Sequence, residues 1–203
     1  MLVGGLDECG TGSGAGPIVS VLAVFEESAK SKLPRGVKDS KQTTKSQRDL
    51  LYQQLLDLAV DVGIGCSWPW EIDSDYVGAL QASYSRAIEG INPSNCPDKI
   101  IVDGINPVRS WDGVQLVEPK ADNNHWQVSA ASIIGKVTRD RAMSELSKVW
   151  PEYGFDKHFG YVTPVHQESV RRLGLLIDAK NKSKYIHRWT YWKKSQSLPP
   201  MAL

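Results

Sequence analysis

The chain reads as an α/β protein. Three observations carry that expectation: short Val- and Ile-rich runs of strand length, longer stretches with apolar residues at helical spacing, and the alternation of the two along 203 residues. Residues 3–6 and 18–25 are the first strands, a hairpin-like pair flanking a glycine-rich turn. Pro17 argues against a helix that starts inside the turn and runs on through Val24. Residues 46–60 set Leu50, Leu51, Leu55, Leu56 and Ala59 on one helical face. Residues 62–66 follow as a strand, and residues 75–91 as a helix burying Val77, Leu80, Ala87, Ile88 and Ile91. Residues 99–103 form a strand that ends in a carboxylate, Asp103, and meets Gly104 at once; residues 114–117 form another. Residues 127–149 are a long helix carrying Ala130, Ala131, Ile133, Ile134, Val137, Met143 and Leu146, and residues 164–173 a further one with Pro164 in its first turn. The order β-β-α-β-α-β-β-α-α puts Asp103 at the C-terminal end of a strand, where α/β sheets place function. The tail after Ser195 reads as frayed. No internal repeat or low-complexity linker divides the chain, so residues 1–203 are expected to form a single domain.

At 41% apolar and 23% charged residues, the composition is that of an ordinary soluble globular protein, long enough to bury a substantial core. Its net charge of +1 conceals an asymmetry. From Arg171 to Lys194, eight Lys or Arg stand against one acid, Asp178, a net +7 that leaves −6 for the remainder. Such a basic end suits a polyanion partner; on charge alone it suits a solvated terminal face equally well. Cys9, Cys66 and Cys96 are odd in number and lack CxxC spacing. They imply neither a disulfide framework nor a zinc site, and fit a reducing, cytoplasmic setting. The N-terminus has no basic region followed by an apolar signal core. The longest apolar run is about ten residues, half of what a membrane span needs, so no membrane partner is expected. A monomer is the default expectation.

Residues 7–17 carry the chemistry: Asp7-Glu8-Cys9-Gly10-Thr11-Gly12-Ser13-Gly14-Ala15-Gly16-Pro17. Alternating glycines let a backbone come very close to another group. Two carboxylates beside such a loop would repel a bare phosphate unless cations lay between, which suggests metal-dependent chemistry on a phosphate backbone. The segment from Gly10 to Ala15 satisfies the loose G-x-G-x-x-A pattern, but a dinucleotide site needs a helix opening after it. Pro17 and Ile18-Val19-Ser20-Val21-Leu22 deny that helix, and no GK[ST] follows to make a P-loop. In a strand Asp7 and Glu8 would point to opposite faces, so they serve one site only where the strand ends or bulges. Asp103 ends another strand, and Asp122 lies in Lys120-Ala121-Asp122-Asn123-Asn124, just before the long helix. Any one of these acids is by itself most often a solvated loop residue; their joint placement at strand ends and a helix start makes them a set. Clustered carboxylates disfavour one another's ionisation and suit hard cations. Oxygen donors without paired His or Cys point to Mg²⁺ or Mn²⁺.

The motifs run on in a recognisable order. After Asp7-Glu8-x-Gly-x-Gly-x-x-x-Gly-Pro come Asp39-Ser40-Lys41 with Arg48, Glu71-Ile72-Asp73, Val102-Asp103-Gly104 and Lys120-x-Asp122. Ala130-Ala131-Ser132-Ile133-Ile134-x-Lys136-Val137-Thr138-Arg139-Asp140-Arg141 follows, then Tyr153-Gly154-Phe155, His158-x-Gly160-Tyr161-x-Thr163-x-x-His166 and His187-Arg188. In kind and order these resemble the signatures of ribonuclease HII, the type 2 ribonucleases H, from residue 7 to about 191, including the step from Asp122 to Ser132. The resemblance implies an RNase H-like fold: a mixed central sheet flanked by helices, with a helical basic segment over about residues 150–203 that grips the duplex. It implies a four-carboxylate site, Asp7, Glu8, Asp103 and Asp122, holding two divalent ions roughly 4 Å apart. It implies cleavage of the RNA strand of RNA/DNA hybrids, and cleavage 5′ to ribonucleotides embedded in duplex DNA, leaving 3′-hydroxyl and 5′-phosphate ends. Sensing the 2′-hydroxyl would fall to the main chain of Gly10, Thr11 and Gly12, together with Tyr161, which would stack on the neighbouring deoxyribose.

Lys41, Lys120, Lys136 and Arg139 read as phosphate contacts or as structural ion-pair members alike. Ser132 either contacts backbone near the metals or packs. His187-Arg188 anchors the C-terminal segment or touches phosphate, and His125, His158, His166 and His187 show no metal spacing. The tryptophans 68, 70, 111, 150, 189 and 192 read as core or rim residues. Four positions depart from the family pattern: Thr11 in place of Arg or Lys, Phe159 in place of the usual Lys, Val162 where glycine is common, and Trp126 where small or aliphatic residues are usual. The acids are intact, so the expected consequence is for substrate preference: weaker discrimination for a lone ribonucleotide, with longer RNA stretches favoured. Two rivals are an RNase H-fold nuclease for branched DNA and a non-catalytic binder of hybrids. Residues 195–203 show no clamp-binding pattern.

Overall fold

The computed structural model describes residues 1–37 and 44–194. Lys41, its neighbours Asp39 and Ser40, and the tail from Ser195 lie outside the described residues. In chain order the elements are β1 (Leu2–Cys9), β2 (Ile18–Glu26), α1 (Lys45–Leu58), β3 (Asp61–Ser67), α2 (Pro69–Ser74), α3 (Tyr76–Glu89), β4 (Lys99–Asp103), β5 (Val114–Glu118), α4 (Trp126–Val149), α5 (Phe155–His158), α6 (Pro164–Leu173) and α7 (Trp189–Lys194). They fall into two compact units. The first comprises Met1–Cys9, Val19–Cys66 and Gln81–Thr138; the second comprises Gly10–Ile18, Ser67–Leu80 and Arg139–Leu203.

The first unit is built on a five-stranded sheet in the order β3-β2-β1-β4-β5. β1 pairs antiparallel with β2 from Leu2↔Glu26 to Cys9↔Val19, the expected hairpin-like pair. On its other side β1 runs parallel to β4, and β4 parallel to β5, so the sheet is mixed. Period-two spacing puts Val19, Val21, Ala23 and Phe25 of β2 on one face, against Leu51 and Leu55 of α1 and Ala130, Ala131, Ile133 and Ile134 of α4. Each large apolar side chain so buried contributes about 1.5–3 kcal/mol. The exposed Lys148–Glu145 ion pair contributes a fraction of that, so burial decides the fold. Trp126 opens α4 by packing on Phe25, ring centroids 4.9 Å apart. That α4 lies directly on β1 requires Gly5, since a Cβ there would fall 2.2 Å from the Gln127 carbonyl. α1 starts where Thr44 and Gln47 form a capping box.

The second unit packs Ala15, Met143, Tyr153, Phe155, Val170, Ile186 and Trp192 together. Its basic stretch is helical at α6 and α7 and largely irregular between. Gly174, at φ +81°, closes α6. The returning chain then bonds to the glycine segment instead of coiling: Arg188 N–H donates to the Gly14 carbonyl at 2.9 Å, and Gly16 N–H to that of Ile186 at 2.9 Å. Helix α2, of six residues, was not anticipated, being too short to display a period; α5 and α7 fall in the segment expected to be helical, though their bounds were not given. Among the described residues no helix is long and apolar enough to cross a membrane.

Candidate active site

The register Leu6↔Val102 carries β1 and β4 to the same end of the sheet, where Asp7, Glu8 and Asp103 emerge. Asp7 is only 9% exposed. Burial above all pushes its carboxyl up to about 7; a hydrogen bond from Ser132 opposes the rise, and the charges of Glu8 and Asp103 add to it. Asp7 Oδ1 accepts the Glu8 N–H at 2.8 Å. Glu8 is raised by burial too, opposed by the phenol of Tyr84, with Asp103 again adding. The Tyr84 hydroxyl donates to Glu8 Oε2 at 2.5 Å. Asp103 Oδ1 accepts the Ala121 N–H at 3.2 Å, which ties the turn carrying Asp122 to β4. That turn is further held by Ser129 Oγ, which donates to the Asp122 carbonyl at 2.5 Å. It is entered through Lys120, a non-glycine residue at φ 60° and ψ 38°. A left-handed residue of this kind stores on the order of 1–2 kcal/mol of strain, offset here by the bonds on either side. Glu118, level with Asp103 on β5, is engaged elsewhere: it takes His125 Nε2 at 2.9 Å and the Asn124 amide, and these bonds hold it below its ordinary range.

The first unit therefore gathers Asp7, Glu8, Asp103 and Ser132, with Asp122 tied in through Ala121. Lys120 is exposed and Lys136 half-buried on α4. Among the described residues no three His, Cys, Asp or Glu side chains converge tightly enough to hold a metal ion. The donor chemistry nonetheless fits a hard divalent cation: the acids offer only oxygen, and their mutual repulsion is what such a cation relieves.

In the second unit the glycine segment is pinned by two buried arginines. Arg139 Nε donates to the Pro17 carbonyl (2.8 Å), Nη2 to Ser13 Oγ (2.8 Å) and the Ala15 carbonyl (3.0 Å), and Nη1 to the Phe159 carbonyl (2.8 Å). Fully buried, Arg139 is thus a bracket and not an exposed phosphate contact. Arg188 holds the Gly16 and Thr11 carbonyls; burial, then the charge of Arg139, brings it down to about 9. Most of the glycines are required by this packing. A Cβ at Gly10 would lie 2.1 Å from Arg139 Nε, one at Gly14 2.6 Å from Val162, and one at Gly16 2.2 Å from Met143 Sδ; at Gly12 it would meet nothing within 4 Å. Gly12 is where the backbone is open to an outside group. The Gly160 carbonyl takes the N–H groups of Gly14 and Ala15 at 3.0 and 3.2 Å, and the Arg139 guanidinium lies 5.6 Å from the ring of Tyr161, which is 38% exposed. The glycine segment and the tyrosine turn are thus one piece.

Sequence reasoning missed two groups. Tyr84 sits in a helix read only for its apolar face, and nothing in a sequence fixes the rotation that aims its hydroxyl at Glu8. His158, His166 and His187, unremarkable in spacing, meet in the second unit's core, the rings of His158 and His166 stacked at 4.2 Å. Their hydrogen bonds require neutral rings. Leu176 N–H donates to His187 Nδ1 at 2.9 Å, so His187 Nε2–H donates to His166 Nε2 at 3.1 Å, and His166 Nδ1–H to the Tyr161 carbonyl at 3.0 Å.

A mixed sheet whose parallel pair brings acidic strand ends together, with helices packed against it, is the α/β arrangement of the RNase H-like fold. The structure matches the ribonuclease H2 of Pyrococcus horikoshii OT3 with a TM-score of 0.78 and 32% identity, covering 96% of each chain. The profile of the family described as Ribonuclease HII matches residues 4–194, and the chain belongs to that family. A Ribonuclease HII of Bacillus cytotoxicus is 37% identical over 175 residues, 86% of this chain and 65% of that protein. One of Shewanella amazonensis is 34% identical over 188 residues, 92% of this chain and 88% of that protein. The chain thus spans a little under two thirds of the length of the Bacillus relative.

Proposed function

We propose that this protein is a divalent-metal-dependent endoribonuclease. It cuts the RNA strand of RNA/DNA hybrids, and 5′ to ribonucleotides embedded in duplex DNA, leaving 3′-hydroxyl and 5′-phosphate ends. The observation that carries this reading is the meeting of Asp7, Glu8 and Asp103 at one end of the sheet, in surroundings that raise Asp7 to about 7. Asp7, Glu8, Asp103 and Asp122 hold the ions, Mg²⁺ or Mn²⁺. When bound, these supply activation of water and charge stabilisation at the leaving oxygen of the phosphodiester. The protein's own groups orient the acids: Ser132 on Asp7, Tyr84 on Glu8 and the Ala121 N–H on Asp103. Gly10, Thr11 and Gly12 offer main-chain groups to the 2′-hydroxyl, Gly12 being the exposed one, and Tyr161 stacks on the adjacent sugar. Lys41, Lys120 and Lys136 neutralise phosphates. The protein acts as a monomeric single domain in the cytoplasm, with its C-terminal basic portion on the duplex.

Thr11 removes a cation that would reach a phosphate, and Phe159 removes a second by packing into the second unit's core. Runs of ribonucleotides should therefore be cut better than a single one. The test uses two labelled duplexes, one with a lone ribonucleotide in DNA and one with a run of several, each with Mg²⁺ and with Mn²⁺. Cleavage of both, faster on the run, is expected. Equal or faster cutting at the lone ribonucleotide would refute the preference, and cleavage of neither would leave a non-catalytic hybrid binder.

A further inference from the structure

Glu8 and Ser20 stand directly opposite each other across the antiparallel β1–β2 pair, and two consecutive residues of α3 bond to that pair. Ser83 Oγ meets Ser20 Oγ at 2.6 Å, while the Tyr84 hydroxyl donates to Glu8 Oε2 at 2.5 Å. Consecutive helical residues project about 100° apart, so both bonds form only at one rotation and one height of α3 over the strands. That height is fixed from a third strand as well. A Cβ at Gly65 of β3 would fall 1.9 Å from the Ser83 carbonyl, so the helix backbone rests directly on β3 at this turn. Ser83 and Tyr84 are 0% and 4% exposed, and water does not compete for their hydroxyls. A phenol bonded to a carboxylate under these conditions makes the short, charge-assisted kind of hydrogen bond.

We infer that Tyr84 is a positioning residue for Glu8: it clamps one carboxylate oxygen and so fixes which oxygen, at what angle, Glu8 presents to a divalent cation. The inference rests on the metal-dependent reading above. A glutamate on an open strand end would have to be ordered by the cation itself. Here the sheet register, the serine pair and the phenol order it in advance, as outer partners of metal ligands do.

Tyr84→Phe keeps the ring and removes the hydroxyl. Mn²⁺ binding to the substrate-free protein, followed by the electron paramagnetic resonance of free Mn²⁺, should weaken by about tenfold or more, the usual loss when an outer partner of a metal ligand is removed. The Mn²⁺ concentration for half-maximal cleavage of the multi-ribonucleotide duplex should rise by the same factor, with the rate largely restored at saturating Mn²⁺. A lower melting temperature with unaltered Mn²⁺ binding would mean a merely structural tyrosine and overturn the inference. Should Tyr84→Phe fail to fold, Ser83→Ala loosens the same clamp through the register bond, and a wild-type Mn²⁺ midpoint in that variant would overturn it too. Wild-type protein that cleaves neither duplex with Mg²⁺ or Mn²⁺ would refute the nuclease reading itself. Wild-type cleavage beside an indifferent Tyr84→Phe refutes only the positioning role.

Discussion

Asp7 is held in its folded state at a pKa of about 7, against an ordinary value of 3.8. Between those values the folded chain keeps a proton that the unfolded chain has released. The stability tied to that proton is fully present below pH 3.8 and is lost as pH rises through 7. At pH 8 the cost is on the order of 4 kcal/mol, since each tenfold change in proton affinity is worth about 1.36 kcal/mol. Asp7→Asn should therefore raise the melting temperature at pH 8, leave it nearly unchanged at pH 3.5, and abolish metal-dependent cleavage. Melts at the two pH values check this, and a variant no more stable than wild type at pH 8 would sink it. That Asp7, Glu8 and Asp103 come together was legible in the sequence because they lie at the ends of what prove to be neighbouring strands. Tyr84 was not, because its role depends on how a helix is turned. Of the four departures from the family pattern, Trp126, Phe159 and Val162 are taken up by packing against Phe25 or within the second unit's core. Thr11, half-exposed and held through its carbonyl by Arg188, has no such account.

The turn that carries Tyr161 depends on three neutral histidines. Burial lowers all three, His166 to about 4 and His187 well below its ordinary 6.5. Below pH 6.5 the unfolded chain takes up protons that this element refuses. Its stability is complete above pH 6.5 and declines as pH falls toward 4, opposite in sign to Asp7 over the overlapping window. His187→Phe should lower the pH slope of the unfolding free energy between pH 6 and 5 by about 1.4 kcal/mol per unit, one proton's worth, whatever it does to stability itself. Urea unfolding at several pH values measures that slope, and a slope equal to wild type would refute the assignment. The long elements could be read in advance from their apolar periods, and α4 and α6 begin within a residue of the expected positions, but Leu50 and Val77, expected on buried helix faces, are exposed because each lies at the edge of its apolar stripe. The glycine segment was legible as a close-approach loop but not as to what approaches it. Arg139, Trp192 and Met143 lie far from it in sequence, and only the folded second unit shows that they fill the space three of its glycines leave.

Across the chain, the basic segment keeps seven of its eight cations exposed, Arg171, Arg172, Lys180, Lys182, Lys184, Lys193 and Lys194, while Arg188 is withdrawn into the second unit. The two readings of that charge now have separate outcomes. If the segment grips a duplex, replacing Lys180, Lys182 and Lys184 by Ala should flatten the dependence of log K on log salt by up to about 2.7, near 0.9 for each phosphate no longer neutralised. A solvated face would leave the slope unchanged; binding to a hybrid at several salt concentrations distinguishes them. The division into two units was not visible in the sequence, because each unit is assembled from separate stretches of chain with no linker between them. Parallel pairing of β1 with β4 also sets an order of assembly. A hairpin such as β1–β2 closes from adjacent chain in about 1–10 μs, whereas a parallel partner must wait for the whole crossover, here β2, α1, β3, α2 and α3, to be made. On the ribosome, Asp7 and Glu8 thus emerge early, flanked by β2 alone, and meet Asp103 only after β4 has left the tunnel. The acidic set of this fold is thus incomplete on a nascent chain until synthesis has passed Asp122.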